Sequence, residues 1–191
     1  RSYRGEMPAI AGLVVHFQRA ADIAMSVENG SSDLGIVGMD DFLEKRREGG
    51  NSELLIEGLG FGHCEVVVGV PDFWVDVTSV ADLADLSTEL KGQGDGLLRV
   101  ATKFPRLTER FLLENGFNYF SIRQASGALE AAPLMGSADV IVDISETGTT
   151  MRENRIKTIH GGTVLTSEAC LIGNRGQLGA GLFAVGRGGQ S

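Results

Sequence analysis

The sequence predicts an α/β protein with mostly parallel sheets, and three observations predict it. Short apolar runs alternate with helical patterns along most of the chain. Acidic residues recur just after those runs, at what would be the carboxyl ends of strands, where open α/β sheets gather ligands. Residues 30–40 (GSSDLGIVGMD) are echoed by residues 136–143 (GSADVIVD). Each reads as a capping glycine, a turn with Asp, a buried strand and a terminal acid. Two such units point to two similar lobes with a cleft between them, although any two βα units share much of this grammar.

The elements follow in order. Residues 13–17 (LVVHF) form a strand candidate. A helix over 20–28 carries Ile23, Met25 and Val27 and stops at Asn29-Gly30. Residues 33–38 read as a buried strand, and 40–47 as a helix with an acidic start and a basic end. Strands at 54–58 and 65–70 flank a Gly-Phe-Gly turn. Pro71-Asp72 breaks the pattern and a second series begins: a weak helix at 80–86, a strand at 97–101, a helix at 107–115 ended by Gly116, and a strand at 119–122. A helix at 128–135 must accommodate Pro133 by a kink or an early turn. A strand at 140–144 follows, then 162–172 as one long strand or a strand with a bend.

Composition narrows the function. A chain of 191 residues is ample for a core, as one domain or a compact pair of lobes. A net charge of −8 and a pI near 4.9 argue against a general nucleic-acid coat. The cysteines, Cys64 and Cys170, cannot staple so long a chain, and they read as small core residues rather than nucleophiles. No uncharged apolar run approaches the ~18 residues of a membrane span, and Arg1-Ser-Tyr-Arg4 has no apolar core for a secretory signal. His16, His63 and His160 show no metal-ligand spacing with either cysteine. Of the 27 glycines, seven lie in residues 173–191, a tail with no helical periodicity that reads as a flexible zone.

The strongest chemical signal is residues 143–150 (DISETGTT). A strand ends in Asp143, and Thr149-Thr150 open a helical pattern. Backbone N–H groups there, with the hydroxyls of Ser145, Thr147, Thr149 and Thr150, suit a phosphate, and Gly148 permits a tight turn. Asp143 suits ribose hydroxyls. The absence of Gly-Lys-Ser/Thr excludes a Walker loop. A Ser/Thr-rich helix cap after a strand gives the same pattern, so the residues alone leave both readings open. Glu130 lies in an otherwise small, apolar stretch, as a contact to a sugar hydroxyl or metal-bound ligand, or as a solvated carboxylate. Arg19 and Asp40 each follow a strand and are either ligand contacts or surface charges. Asp22 reads as an N-terminal helix charge.

On these residues the sequence resembles the catalytic portion of the ATP phosphoribosyltransferase family. The matching segments are FQRAADIA (17–24), DLGIVGMD (33–40), LGFGHCEVVVGVP (59–71), LRVATKFPRLTERF (98–111), GALEAAP (127–133), ADVIVDISETGTTMRENRI (138–156) and SEACLI (167–172). The resemblance implies transfer of the phosphoribosyl group of 5-phosphoribosyl 1-pyrophosphate (PRPP) to N1 of the ATP adenine, with Mg2+, in the first step of histidine biosynthesis. It implies two lobes of periplasmic-binding-protein type II-like architecture joined by two crossing strands, 65–71 outward and 162–172 back. Lobe I would be 1–70 plus 162–173, lobe II 71–161, and 174–191 the tail. Asp143, Ser145, Glu146, Thr147, Gly148, Thr149 and Thr150 match the PRPP loop, Glu130 a carboxylate of the same site, and Arg19 and Asp40 the nucleotide side. Glu130 and Asp143 are the implied catalytic pair.

The resemblance also leads us to expect a strand and a Lys-Gly loop before Arg1, and a helix where the Gly-rich tail stands. It implies a homo-oligomer, with a regulatory subunit in short forms, and a cytoplasmic enzyme, or a stromal one in a plant or alga. The competing reading is a non-catalytic two-lobed anion- or nucleotide-binding module, or an inactive truncated product.

Overall fold

The computed structural model describes residues 4–6, 10, 12–94, 96–125, 127 and 129–179. In chain order the elements begin with β1 (Arg4–Glu6), β2 (Val14–His16), α1 (Ala20–Glu28), β3 (Leu34–Gly38), α2 (Met39–Lys45) and β4 (Ser52–Ile56). Next come β5 (Cys64–Pro71), α3 (Val80–Gln93), β6 (Leu98–Thr102), α4 (Pro105–Glu114) and β7 (Phe120–Gln124). After a 3-10 turn (Leu129–Ala131) follow β8 (Val140–Ser145), α5 (Thr149–Glu153), β9 (Ile156–Ser167) and β10 (Ala169–Asn174). The chain divides into two compact units, Arg1–Leu59 with Ala169–Ser191, and Gly60–Glu168. The expected lobe boundaries at 70/71 and 161/162 fall inside β5 and β9. These two strands pair with each other from Cys64↔Ser167 to Pro71↔Ile156, so both stay whole within the second unit.

The first unit holds a three-stranded sheet of order β3-β10-β4, with β10 antiparallel to both neighbours. A separate antiparallel ribbon pairs β1 with β2. One sheet face closes on α1 and α2 through Ala24, Val27, Val37, Met39, Phe42, Cys170 and Ile172. Gly35 permits the close approach: a Cβ there would lie 2.7 Å from Ile23 Cγ2 and 2.9 Å from Val27 Cγ2. At the end of α1 the buried Glu28 carboxylate accepts hydrogen bonds from Ser52 N, Ser52 Oγ and Asn51 N, which fastens the start of β4. Burial raises the Glu28 carboxyl, but these bonds and the charge of Arg47 more than offset it, and it titrates below its ordinary value.

The second unit holds a five-stranded sheet of order β7-β6-β8-β5-β9. The expectation of mostly parallel sheets holds only for β7-β6-β8. β5 runs antiparallel to both β8 and β9, so the sheet is mixed. The physical reason is connectivity: α4 carries the chain back between β6 and β7, whereas no helical crossover returns β5 to a neighbour in the same direction. Arg99 and Asp139 clamp the starts of β6 and β8, with Nη2–Oδ1 at 2.6 Å and Nε–Oδ2 at 3.1 Å, and Arg99 N donates to Oδ2 at 2.7 Å.

Three further expectations are corrected. The helix expected over 128–135 is only the 3-10 turn, because Pro133 offers no N–H and constrains Ala132, and Gly136 turns left-handed at φ 67°. Of the two readings of 162–172, one long strand or a strand with a bend, the unbroken one gives way: β9 ends at Ser167 and β10 starts at Ala169, with the break at Glu168 where the chain passes between units. The tail starts helically over 175–179. Buried Asn174 caps that turn, its Oδ1 accepting from Gly176 N (2.9 Å) and Gln177 N (3.1 Å) while Nδ2 donates to Val27 O (2.7 Å). Residues 180–191 lie outside the described residues.

Candidate active site

The site grows from the carboxyl end of β8. Val140, Ile141 and Val142 are buried in the sheet, and Asp143, Ile144 and Ser145 emerge half-buried. Antiparallel pairing sets Val67 beside Asp143 and Glu65 beside Ser145. On the other side parallel pairing sets Thr102 beside Val142, which brings the next residue, Lys103, to Asp143, with Nζ–Oδ1 at 3.3 Å. Thr102 fixes this junction: its buried hydroxyl donates to Val142 O at 2.7 Å and accepts from Phe104 N at 2.9 Å, the N-cap residue of α4. Asp143 Oδ1 also accepts from Ile144 N at 2.7 Å, so that one oxygen takes both contacts, with 14% of the side chain exposed.

The loop after β8 turns through Gly148, at φ 71° and ψ 0°, which a side chain would strain. Thr147 Oγ1 donates to Thr149 Oγ1 at 3.0 Å, and Thr149 N donates back to Thr147 Oγ1 at 3.4 Å. Arg152 folds over the turn, its Nη2 reaching Thr147 O and Thr149 Oγ1, both at 3.3 Å. Residues 144–151 line a recess of about 290 Å³. A second recess, of about 340 Å³, lies between residues 145–148, Arg152 and the β5–β9 pair, where Glu65, Thr158 and Thr163 face it. Below them, Leu129, Ile141 and Met151 share one buried cluster. The turn carrying half-buried Glu130 and the helix after the loop are therefore anchored in the same apolar core.

Asp143, Ser145, Glu146, Thr147, Gly148, Thr149 and Thr150 thus all lie in the second unit around the end of β8, and Glu130 lies in the same unit on the 3-10 turn, lining neither recess. Arg19 and Asp40 lie in the first unit. Arg19 is exposed and is the N-cap residue of α1, its carbonyl accepting from Asp22 N and Ile23 N. Asp40 sits in the first turn of α2 with 3% of it exposed. Burial, with the Asp40 charge beside it, pushes the Cys170 thiol up to about 11, which leaves Cys170 an inert core residue. Among the described residues, no group of three or more His, Cys, Asp and Glu is arranged to hold a metal ion.

Sequence reasoning missed Lys103, Arg152 and Glu65. Lys103 carried a signal, a lone cation directly after a strand, but only strand order reveals Asp143 as its partner.

Such a loop admits phosphosugars in general, and comparison with known proteins narrows the choice. The family profile HisG, described as ATP phosphoribosyltransferase, matches residues 19–181. The chain belongs to the ATP phosphoribosyltransferase family. It is 42% identical over 177 residues to the ATP phosphoribosyltransferase of Brucella anthropi, covering 92% of this chain and 76% of that one. It is 40% identical over 173 residues to that of a Chelativorans species, covering 90% and 75%. Among solved structures it is similar to the ATP phosphoribosyl transferase (HisG:HisZ) complex from Thermotoga maritima, with a TM-score of 0.67 and 25% identity over 90% of this chain and 74% of that one. The alkanesulfonate-binding protein SsuA from Xanthomonas axonopodis, at a TM-score of 0.51 and 16% identity over 90% and 58%, shares the periplasmic-binding-protein type of fold.

As a member of the ATP phosphoribosyltransferase family the chain is a pentosyltransferase. It transfers the phosphoribosyl group of PRPP to N1 of the ATP adenine and releases pyrophosphate, the first step of histidine biosynthesis. Enzymes of this kind generally use a metal ion. No helix among the described residues is long and apolar enough to cross a membrane.

Proposed function

We propose that residues 143–150 are the PRPP site of this transferase, with Thr147, Gly148, Thr149 and Thr150 holding the 5-phosphate and Ser145 and Glu146 forming the adjoining wall. The observation that carries this reading is the left-handed turn at Gly148, which leaves the hydroxyls of Thr147 and Thr149 3.0 Å apart on a half-open loop. Asp143 faces the ribose hydroxyls, held by Lys103 and Ile144 N. With Glu130 it forms a carboxylate pair that favours positive charge at C1 as the bond to pyrophosphate breaks and the bond to adenine N1 forms. The main contribution is in-line positioning of the two substrates. Arg19 supplies a cation to the ATP side. Asp40, in the first turn of α2, belongs to that side as well.

The metal is magnesium in this reading. A hard cation that keeps waters and substrate phosphates as ligands needs only one or two carboxylates, and Asp143 and Glu146 fit that donor set. When bound it neutralises charge on the departing pyrophosphate. The enzyme works in the cytoplasm as a homo-oligomer, or with a regulatory subunit. The two-component Thermotoga maritima complex supports the second form.

The test is pyrophosphate release, which should require ATP, PRPP and magnesium together. Thr149→Ala should raise the KM for PRPP by about tenfold, the loss of one good hydrogen bond to a charged group, with the melting temperature unchanged. Gly148→Val should do at least as much. Unaltered PRPP affinity in both variants would remove the loop from the site.

A further inference from the structure

We infer that Arg152 is a positioning residue for phosphate binding, one that sets which way the Thr149 hydroxyl points and supplies the positive charge of the pocket. The inference rests on the placement of PRPP in this loop. A threonine hydroxyl has one proton to give and two lone pairs. In this loop Thr149 Oγ1 receives two donors, Thr147 Oγ1 at 3.0 Å and Arg152 Nη2 at 3.3 Å. With both lone pairs engaged, its own proton is turned outward, where a phosphate oxygen would accept it. The same Nη2 holds Thr147 O at 3.3 Å, so one guanidinium spans both flanks of Gly148.

Gly148 makes this possible. A Cβ there would lie 2.9 Å from Arg152 Nη1, so the missing side chain is the space that the guanidinium fills. Charge points the same way. Arg152 is the one basic side chain among the described residues lining the two recesses, which also carry the acids Glu65 and Glu146. A doubly charged phosphate entering beside two carboxylates needs a fixed counter-charge, and an always-protonated guanidinium provides it without a proton to lose.

The experiment measures ribose 5-phosphate and ribose binding by calorimetry, and KM for PRPP and for ATP, in Arg152→Gln, Arg152→Lys and Thr149→Ala. Arg152→Gln should weaken ribose 5-phosphate by about tenfold or more, the scale of a charge-assisted hydrogen bond, and leave ribose and the ATP KM unchanged. Arg152→Lys should recover part of the loss, because it restores the charge but not the planar guanidinium whose Nη2 reaches both Thr147 O and Thr149 Oγ1. If Thr149→Ala weakens ribose 5-phosphate and Arg152→Gln does not, the inference fails and the loop assignment stands. If neither variant weakens it, the loop assignment itself fails. A loss in Arg152→Gln that falls equally on ATP, with a lowered melting temperature, would show a merely structural role and overturn the inference.

Discussion

Arg155 is the one described residue other than glycine with a positive φ, 59°. It follows α5, where its carbonyl accepts from Asp72 N at 2.8 Å and its Nε lies 3.5 Å from Asp72 Oδ2. A left-handed backbone costs an L-residue ~1 kcal/mol, and an ion pair so open to solvent returns little of it. Arg155→Gly should therefore stabilise the protein by about 1 kcal/mol, read as a higher urea midpoint. A lower midpoint would show that the pair with Asp72 outweighs the strain. At this scale the sequence reveals what is contiguous. Residues 143–150 could be read as a phosphosugar loop because strand end, glycine and hydroxyls stand side by side in the chain. Arg99–Asp139 and Lys103–Asp143 could not, because each pair is joined only by the alignment of β6 with β8.

Among the elements, α3 shows best how local chemistry decides extent. The periodic apolar residues support a helix only to about Leu86, yet it continues to Gln93. Its start is fixed by a reciprocal cap: Asp82 N donates to Ser79 Oγ, and the Asp82 carboxylate accepts from Ser79 N, Thr78 N and Thr78 Oγ1. These bonds, led by the one from Thr78 N, lower the Asp82 carboxyl from 3.8 to about 2. A depressed carboxyl stabilises the fold above its unfolded value and loses that contribution as pH falls through its folded value. The cap should thus be intact above 3.8 and dissolve toward about 2. Amide exchange across residues 80–93 should quicken in that window in the wild type, and Asp82→Asn should show no such step. An equal acid response in both would assign the step to other carboxylates. Strand direction was the element-level property the sequence concealed. The valines of β5 and β8 record burial on both faces, which parallel and antiparallel neighbours satisfy equally well.

At the scale of the whole chain, the echo between residues 30–40 and 136–143 keeps its glycines but not its two buried strands: β8 starts buried, whereas β3 leaves Leu34 and Ile36 exposed. Gly30 and Gly136 are both left-handed, at φ 78° and 67°, and each stands before a strand in a different unit. The sequence did not show that β10 lies between β3 and β4 as the centre of the first unit's sheet. Ile172, fully buried there, is the test: Ile172→Ala should cost about 2–4 kcal/mol. Hydrogen exchange should show protection falling in β3 and β4 while β6 and β8 keep theirs. A loss spread evenly over both units would mean that they unfold as one. The position of β10 also sets an order of events during synthesis. Residues 60–168 are contiguous, so the second unit has all its strands before β10 has left the ribosome. Until then β3 and β4 have made no sheet and present unpaired backbone, the state that invites chaperones and strand-to-strand aggregation. The last described strand to be made is therefore the one that completes the first unit, and a chain that has emerged only as far as residue 168 has every strand of the second unit outside while the first is still open.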